Sequence, residues 1–150
     1  MSKVAVNKNF HDAFDKLEAA ILKEISTTGN ILADNFSETK SIFYPGIYMR
    51  RMFLPAGMII TGKIHKTLHP FILSLGSCIV YSPEHPDGVP LKAPFHGTTK
   101  KGTRRLIIAM EDMMWTEIHP NPDNCTDEAI LEERLIKKHE NKYLTLELNK

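Results

Sequence analysis

Residues 55–77 read Pro55-Ala-Gly-Met-Ile-Ile-Thr-Gly-Lys-Ile-His65-Lys-Thr-Leu-His69-Pro-Phe-Ile-Leu-Ser-Leu-Gly-Ser77. Two short apolar runs, Met58–Ile64 and Pro70–Leu75, flank a histidine-bearing turn. Alternate side chains of a strand share a face, which groups Ile59, Thr61, Lys63 and His65 on one run and His69, Phe71, Leu73 and Leu75 on the next. If the turn makes the runs neighbours, the two imidazoles converge. Neutral imidazole is a common ligand of transition metals. A helix would also present two histidines four apart on one side, so the pair alone does not choose between strand and helix.

The surroundings choose strands. From Ile42 to Pro120, prolines and glycines recur every few residues, as in Pro45-Gly46, Pro83, Pro86-Asp87-Gly88, Pro94, Gly97 and Gly102. Between them lie short runs rich in branched and aromatic residues: Ile47–Leu54, Met58–Ile64, Pro70–Leu75, Ser77–Tyr81, Arg104–Met110 and Met114–Ile118. Strands at this spacing, with turn residues between them, predict a mainly β sandwich or barrel. Proline at this density leaves no room for long helices.

The flanks differ. Between Asn9 and Ile25, Phe10, Phe14, Leu17, Ile21 and Ile25 recur at intervals of three and four, which predicts an amphipathic helix stopped near Gly29-Asn30. After Pro120, Thr126 is positioned to cap a second helix, with Glu128, Glu132 and Glu133 early and Lys137, Lys138 and His139 late. The tail from Tyr143 to residue 148 alternates weakly, as a short edge strand would. The expected organisation is a helical extension over residues 1–41, the β-domain over 42–120, and a helix and tail over 121–150.

Composition narrows the function classes. The chain has 150 residues, 42% hydrophobic and 25% charged, with a net charge of +1. No global field draws it to nucleic acid or an acidic membrane. No segment approaches the roughly 20 apolar residues of a membrane span, and no signal-like leader opens the chain, so a cytoplasmic protein is expected. Two distant cysteines, Cys78 and Cys125, make no disulfide framework, and neither has the setting of a catalytic thiolate. No phosphate-binding Gly-x4-Gly-Lys-Ser/Thr loop is present. The one dense basic cluster, Lys100, Lys101, Arg104 and Arg105, lacks interleaved aromatics, and on a strand its two arginines face opposite ways. A solvated loop with one pocket arginine accounts for it.

The spacing from Gly57 to Gly76 resembles the first motif of the cupin superfamily: a glycine, five residues, His-x-His, three or four residues, a glutamate, six residues and a glycine. Gly57 opens it, Lys63 stands at the first histidine, His65 at the second, His69 at the glutamate, and Gly76 closes it. In the second motif Lys100 replaces the proline, Gly102 is kept, and Arg105 replaces the histidine. The stretches Leu54–Gly57, Gly62–His65, Ala93-Pro94, Gly102–Arg105, Glu111-Asp112, Trp115-Thr116 and His119-Pro120 also resemble small cupin-like proteins of tailed bacteriophages and prophages.

The resemblance implies an antiparallel jelly-roll barrel, a host-cytoplasmic or virion-associated setting, and a homo-oligomer. It places His65 and His69 in a pocket for a divalent transition metal such as zinc, iron, nickel or manganese. Lys63 and Arg105, standing where ligands are expected, oppose a dication and favour a small anionic ligand, held by Lys63, His65, His69 and Arg105. His119 and His96 are candidate third metal ligands, and each also reads as a strand-end or turn residue. Glu111-Asp112 reads as a hairpin turn and Trp115 as core. No nucleic-acid or membrane partner is expected. The alternative function is a structural or interaction protein that uses the barrel as a scaffold.

Overall fold

The computed structural model describes residues 3–28 and 38–143. Nine strands form two antiparallel sheets flanked by two helices among the described residues. In chain order these are α1 (Lys3–Thr28), β1 (Glu38–Tyr44), β2 (Gly46–Leu54), β3 (Ile59–Thr61), β4 (His69–Leu75), β5 (Ser77–Ser82), β6 (His85–Lys92), β7 (Phe95–Thr99), β8 (Leu106–Ala109), β9 (Met113–Asn121) and α2 (Glu128–Leu135). One sheet runs β1-β2-β9-β4-β7 and the other β3-β8-β5-β6. Eight strands, β2 to β9, thus divide into two four-stranded layers as in a jelly roll, only the β5–β6 hairpin staying within one layer, and β1 extends one edge.

Four of the six expected strands keep nearly their expected bounds. The run at Met58 is a strand only over Ile59–Thr61, and that at Arg104 only over Leu106–Ala109. Three further strands were not expected: β1, which begins inside the expected helical extension, and β6 and β7, which lie where turns were expected; each is a sheet edge. An edge strand leaves one row of backbone groups unpaired, so it tolerates the prolines of β6 and the glycine of β7. The helix stop at residues 29–30 and the tail strand beyond Tyr143 lie outside the described residues.

The core between the sheets is Leu54, Phe71, Leu73, Cys78, Val80, Ile107, Ala109, Met113 and Trp115. Trp115 is core, as its sequence setting implies: its ring lies parallel to Phe71, with centroids 4.0 Å apart. Gly76, the closing glycine of the motif, has φ +79°, and a Cβ there would sit 2.1 Å from the Asp112 carbonyl oxygen. Only glycine passes this point. Glu111-Asp112 is a turn, but it carries the chain from one sheet to the other instead of closing a hairpin. There Asp112 accepts from the Ala56 amide and Glu111 from the Ser77 hydroxyl.

Helix α1 covers the outer face of the β3-β8-β5-β6 sheet, where Phe10, Phe14 and Leu17 face Tyr81, Leu106 and Ile108. The expected stripe is rotated. Leu17 is 44% exposed, whereas Phe14, Asp15 and Ala19 are buried. The cause is Arg104, which is buried under the helix and not in a solvated loop. It donates to Asp15 across 2.6 Å and to Glu18 across 3.3 Å, with its guanidinium 3.9 Å from the Phe14 ring centroid. His139 and Asn141 bind the same aspartate from the C-terminal segment. Helix α2 is capped by Asp127, not Thr126. The Asp127 carboxylate accepts from the amides of Ala129 and Ile130, and the helix ends at Leu135 before the basic run.

Candidate metal centre

Strand β9 sits between β2 and β4, so one of its faces runs along the barrel interior. Met113, Trp115, Glu117, His119 and Asn121 follow one another on that face. The first two are core, and the next two meet the histidines of the motif. Thus the end of the barrel past Trp115 is polar.

His65 does not lie on a strand, because β3 has ended at Thr61. Its backbone is instead clamped from two sides. The His65 amide donates to the Thr103 carbonyl across 3.0 Å, and the Gly102 amide donates to the His65 carbonyl across 2.8 Å. On the other side Lys66 donates to Leu135, and Lys137 donates to Ile64. The β7–β8 loop and the end of α2 therefore hold the histidine in place. His69 opens β4 and is 1% exposed.

The two imidazoles do converge, with ring centroids 4.8 Å apart. The His119 ring packs against His69 as well, tilted by 45° with centroids 4.2 Å apart. Glu117 lies among them: Oε1 is 3.6 Å from His65 Nε2, and Oε2 is 3.4 Å from His119 Nε2. One donor atom each from His65, His69 and Glu117 falls within a 4.8 Å span. His119 adjoins this trio without belonging to it. Sequence reading missed Glu117, although its place between Trp115 and His119 on one strand face was the available signal.

Hydrogen bonding and burial prepare these groups as ligands. His69 Nδ1 lies 3.0 Å from the Thr67 carbonyl oxygen, which can only accept, so the proton sits on Nδ1. Nε2 then carries a bare lone pair, and it is buried with no partner among the described residues. A backbone carbonyl accepting from one ring nitrogen is the usual companion of a metal on the other. Nδ1 of His65 and of His119 are also buried and unpartnered. Burial holds the His65 pKa down at about 4, and burial with the neighbouring imidazole of His119 lowers that of His69. Both are neutral at pH 7. Burial alone would raise the Glu117 pKa. The His119 hydrogen bond and the surrounding imidazoles outweigh it and keep the carboxylate ionised. Two neutral imidazoles and one carboxylate form a donor set that fits a divalent transition ion.

The other expected site residues fall around this cluster. Arg105 faces inward, as its parity with Ile107 and Ala109 requires, and donates to the Thr99 hydroxyl and the Thr98 carbonyl. Lys63 lines the mouth, but its ammonium is taken by Glu132 of α2. A cavity of about 240 Å³ opens against His65, Arg105, Trp115 and Glu117. An adjoining one, of about 250 Å³, opens against Glu117 and His119 and shares Arg50 and Lys63 with the first. His96 is exposed on β7 opposite Ile72, away from the cluster. Burial pushes the Cys78 thiol up to about 11, which removes it as a nucleophile.

No family model matches this chain, and no curated protein matches it. Solved structures similar to it include an RmlC-like cupin family protein with a double-stranded β-helix fold from Methanocaldococcus jannaschii. That likeness has 11% identity over 58% of this chain and 83% of the other, with a TM-score of 0.49. An acetylacetone dioxygenase from Acinetobacter johnsonii is similar at 14% identity, over 59% of this chain and 69% of its own, with a TM-score of 0.46. A cupin-2 domain containing protein from Shewanella frigidimarina is similar at 14% identity, over 56% and 80%, with a TM-score of 0.45.

Proposed function

We propose that this protein is a cupin-like metal-binding protein whose ion is held by His65, His69 and Glu117, with His119 supporting Glu117 from behind. The observation that carries this reading is the buried, partnerless Nε2 of His69, aligned by Thr67 and facing a carboxylate among imidazoles. Leaving such a nitrogen unsatisfied costs free energy, and an ion recovers it. Zinc, iron, nickel and manganese all accept such donors. When bound, the ion supplies Lewis acidity to an oxygen of a small ligand in the adjoining cavity. The chain's own part is positional. Glu117 contributes the negative charge, Trp115 walls the cavity with apolar surface, and Arg105 offers donors to an anionic ligand. Lys63 joins them only by exchanging Glu132.

Calorimetric titration of chelator-treated protein with zinc, nickel, manganese and anaerobic ferrous ion tests this reading. It requires saturable uptake of one ion per chain that is lost in His69→Ala. Absence of uptake by any of the four, or equal uptake by the variant, contradicts it.

A second reading, an oligomeric scaffold, rests on the outer face of the five-stranded sheet. Tyr44, Ile47 and Ile72 point outward there and are 57%, 39% and 40% exposed. Exposed apolar side chains gathered on one sheet face are a feature of association sites. In a phage setting such a protein would be a minor virion component or a binder of a host factor. Light scattering that returns a monomer mass would remove this reading.

A further inference from the structure

Arg104 and Arg105 are neighbours in sequence with opposite electrostatic fates. Arg104 has two carboxylates within hydrogen-bond range. Arg105 is half-buried, yet among the described residues no carboxylate lies within 4.0 Å of its guanidinium. Its hydrogen-bond partners are a hydroxyl and a carbonyl, and its face rests 4.9 Å from the Phe71 centroid and 5.7 Å from that of Trp115. A guanidinium has five donor hydrogens in a planar fork, and two bonds leave most of them unused. Glu117 and Glu84 act on this charge only from beyond ion-pair range, so the partly desolvated guanidinium gains from an anion in direct contact.

Besides the cavity it shares with His65 and Glu117, Arg105 lines a second space, whose lining includes none of His65, His69 and Glu117. A cleft of about 750 Å³ opens there at the mouth of the barrel, between the β5–β6 turn and the β7–β8 loop. Phe71, Phe95, Trp115, Val80 and Leu91 supply apolar walls, and Lys100 and Lys101 stand at the rim. The rim carboxylate, Glu84, lies 3.9 Å from the Lys100 ammonium. The cleft therefore combines at depth one planar cation that no carboxylate contacts among the described residues with aromatic and aliphatic walls.

We propose that this cleft binds an organic carboxylate with a flat apolar body, its carboxylate bidentate on Arg105 and its body against Phe71, Phe95 and Trp115. The fork geometry of guanidinium matches a carboxylate, and aromatic walls favour a planar body over a hydrated inorganic anion. The site does not rest on the metal reading, since none of its contacts involves His65, His69 or Glu117.

The test uses the full chain after chelator treatment, so that loss of the metal reading would leave it intact. Trp115 is the only tryptophan and lines the cleft, so its fluorescence reports occupancy. Benzoate, its neutral isostere benzamide, and inorganic phosphate are titrated into wild type, Arg105→Gln and Arg105→Lys. Saturable benzoate binding is expected, with benzamide and phosphate each weaker by about tenfold or more. Arg105→Gln should lose benzoate binding by a similar factor, and Arg105→Lys should keep part of it. Equal binding of benzoate and benzamide by wild type, phosphate binding as tight as benzoate, or no saturable benzoate response would each overturn the proposal. The wild-type comparison decides even if Arg105→Gln does not fold.

Discussion

His69 Nδ1 sits 3.0 Å from the carbonyl oxygen of Thr67, and this one bond orients an imidazole that is 1% exposed. It fixes the tautomer, aims Nε2 away from the backbone, and leaves that atom for a ligand. Glu117 meets the same histidine cluster from β9, a strand more than 40 residues later in the chain.

Glu117→Gln removes the anionic donor while keeping the shape of the side chain. It should weaken metal uptake by about tenfold to a hundredfold, the range seen when a site loses a supporting group. Calorimetric titration of the chelator-treated variant beside wild type checks this. Unchanged affinity would remove Glu117 from the ligand set.

Stability of the metal-free protein should fall as pH drops from about 6.5 towards 4. Burial depresses the His65 pKa to about 4 in the folded state, so the unfolded chain takes up its proton first. Between those values the unfolded state binds more protons, and stability rises with pH. His69 shifts in the same direction and adds to the slope. Urea midpoints at pH 7, 6, 5 and 4 report the trend, and the mutation His65→Gln should flatten it.

Arg104→Ala leaves the buried carboxylate of Asp15, on α1, with His139 as its remaining side-chain partner among the described residues. Breaking one side of a buried ion pair costs about 3 kcal/mol, far more than loss of a surface pair. Urea denaturation should show that loss, and Arg104→Ala combined with Asp15→Asn should recover part of it. Metal uptake should be unaffected, because Arg104 lies outside the sheet and the histidines lie inside.

Gly76→Ala meets two obstacles at once, a φ of +79° and a Cβ position 2.1 Å from the Asp112 carbonyl oxygen. A destabilisation of about 2 kcal/mol or more is expected from forcing such a backbone position. Thermal denaturation measures it. Gly57→Ala, with a similar φ of +82° but nothing within 4 Å of its Cβ, should cost less.

The barrel was legible because its central strands carry alternation and its turns carry proline and glycine. The edge strands β1, β6 and β7 were not, because a strand that pairs on one side escapes the composition that marks strands. The site was legible in part. His65 and His69 stand out as histidines in an apolar run, and parity alone sent Arg104 and Arg105 to opposite faces. Glu117 was hidden because a glutamate on a strand is ordinarily solvent-facing. Its parity with Trp115 and His119 marked the inward face, and the strand order that puts β9 between β2 and β4 brings that face to the histidines. Asp15 was hidden for a related reason: an acidic residue in a helical pattern reads as the wet face until the arginine that buries it is located.

Elemental analysis of protein purified without added metal, from wild type and from His69→Ala, tests the central claim most directly. The account predicts near one equivalent of a divalent transition metal per chain in wild type and far less in the variant. Wild-type protein without stoichiometric metal that also fails to take up metal on reconstitution, or equal metal content in both proteins, would contradict it.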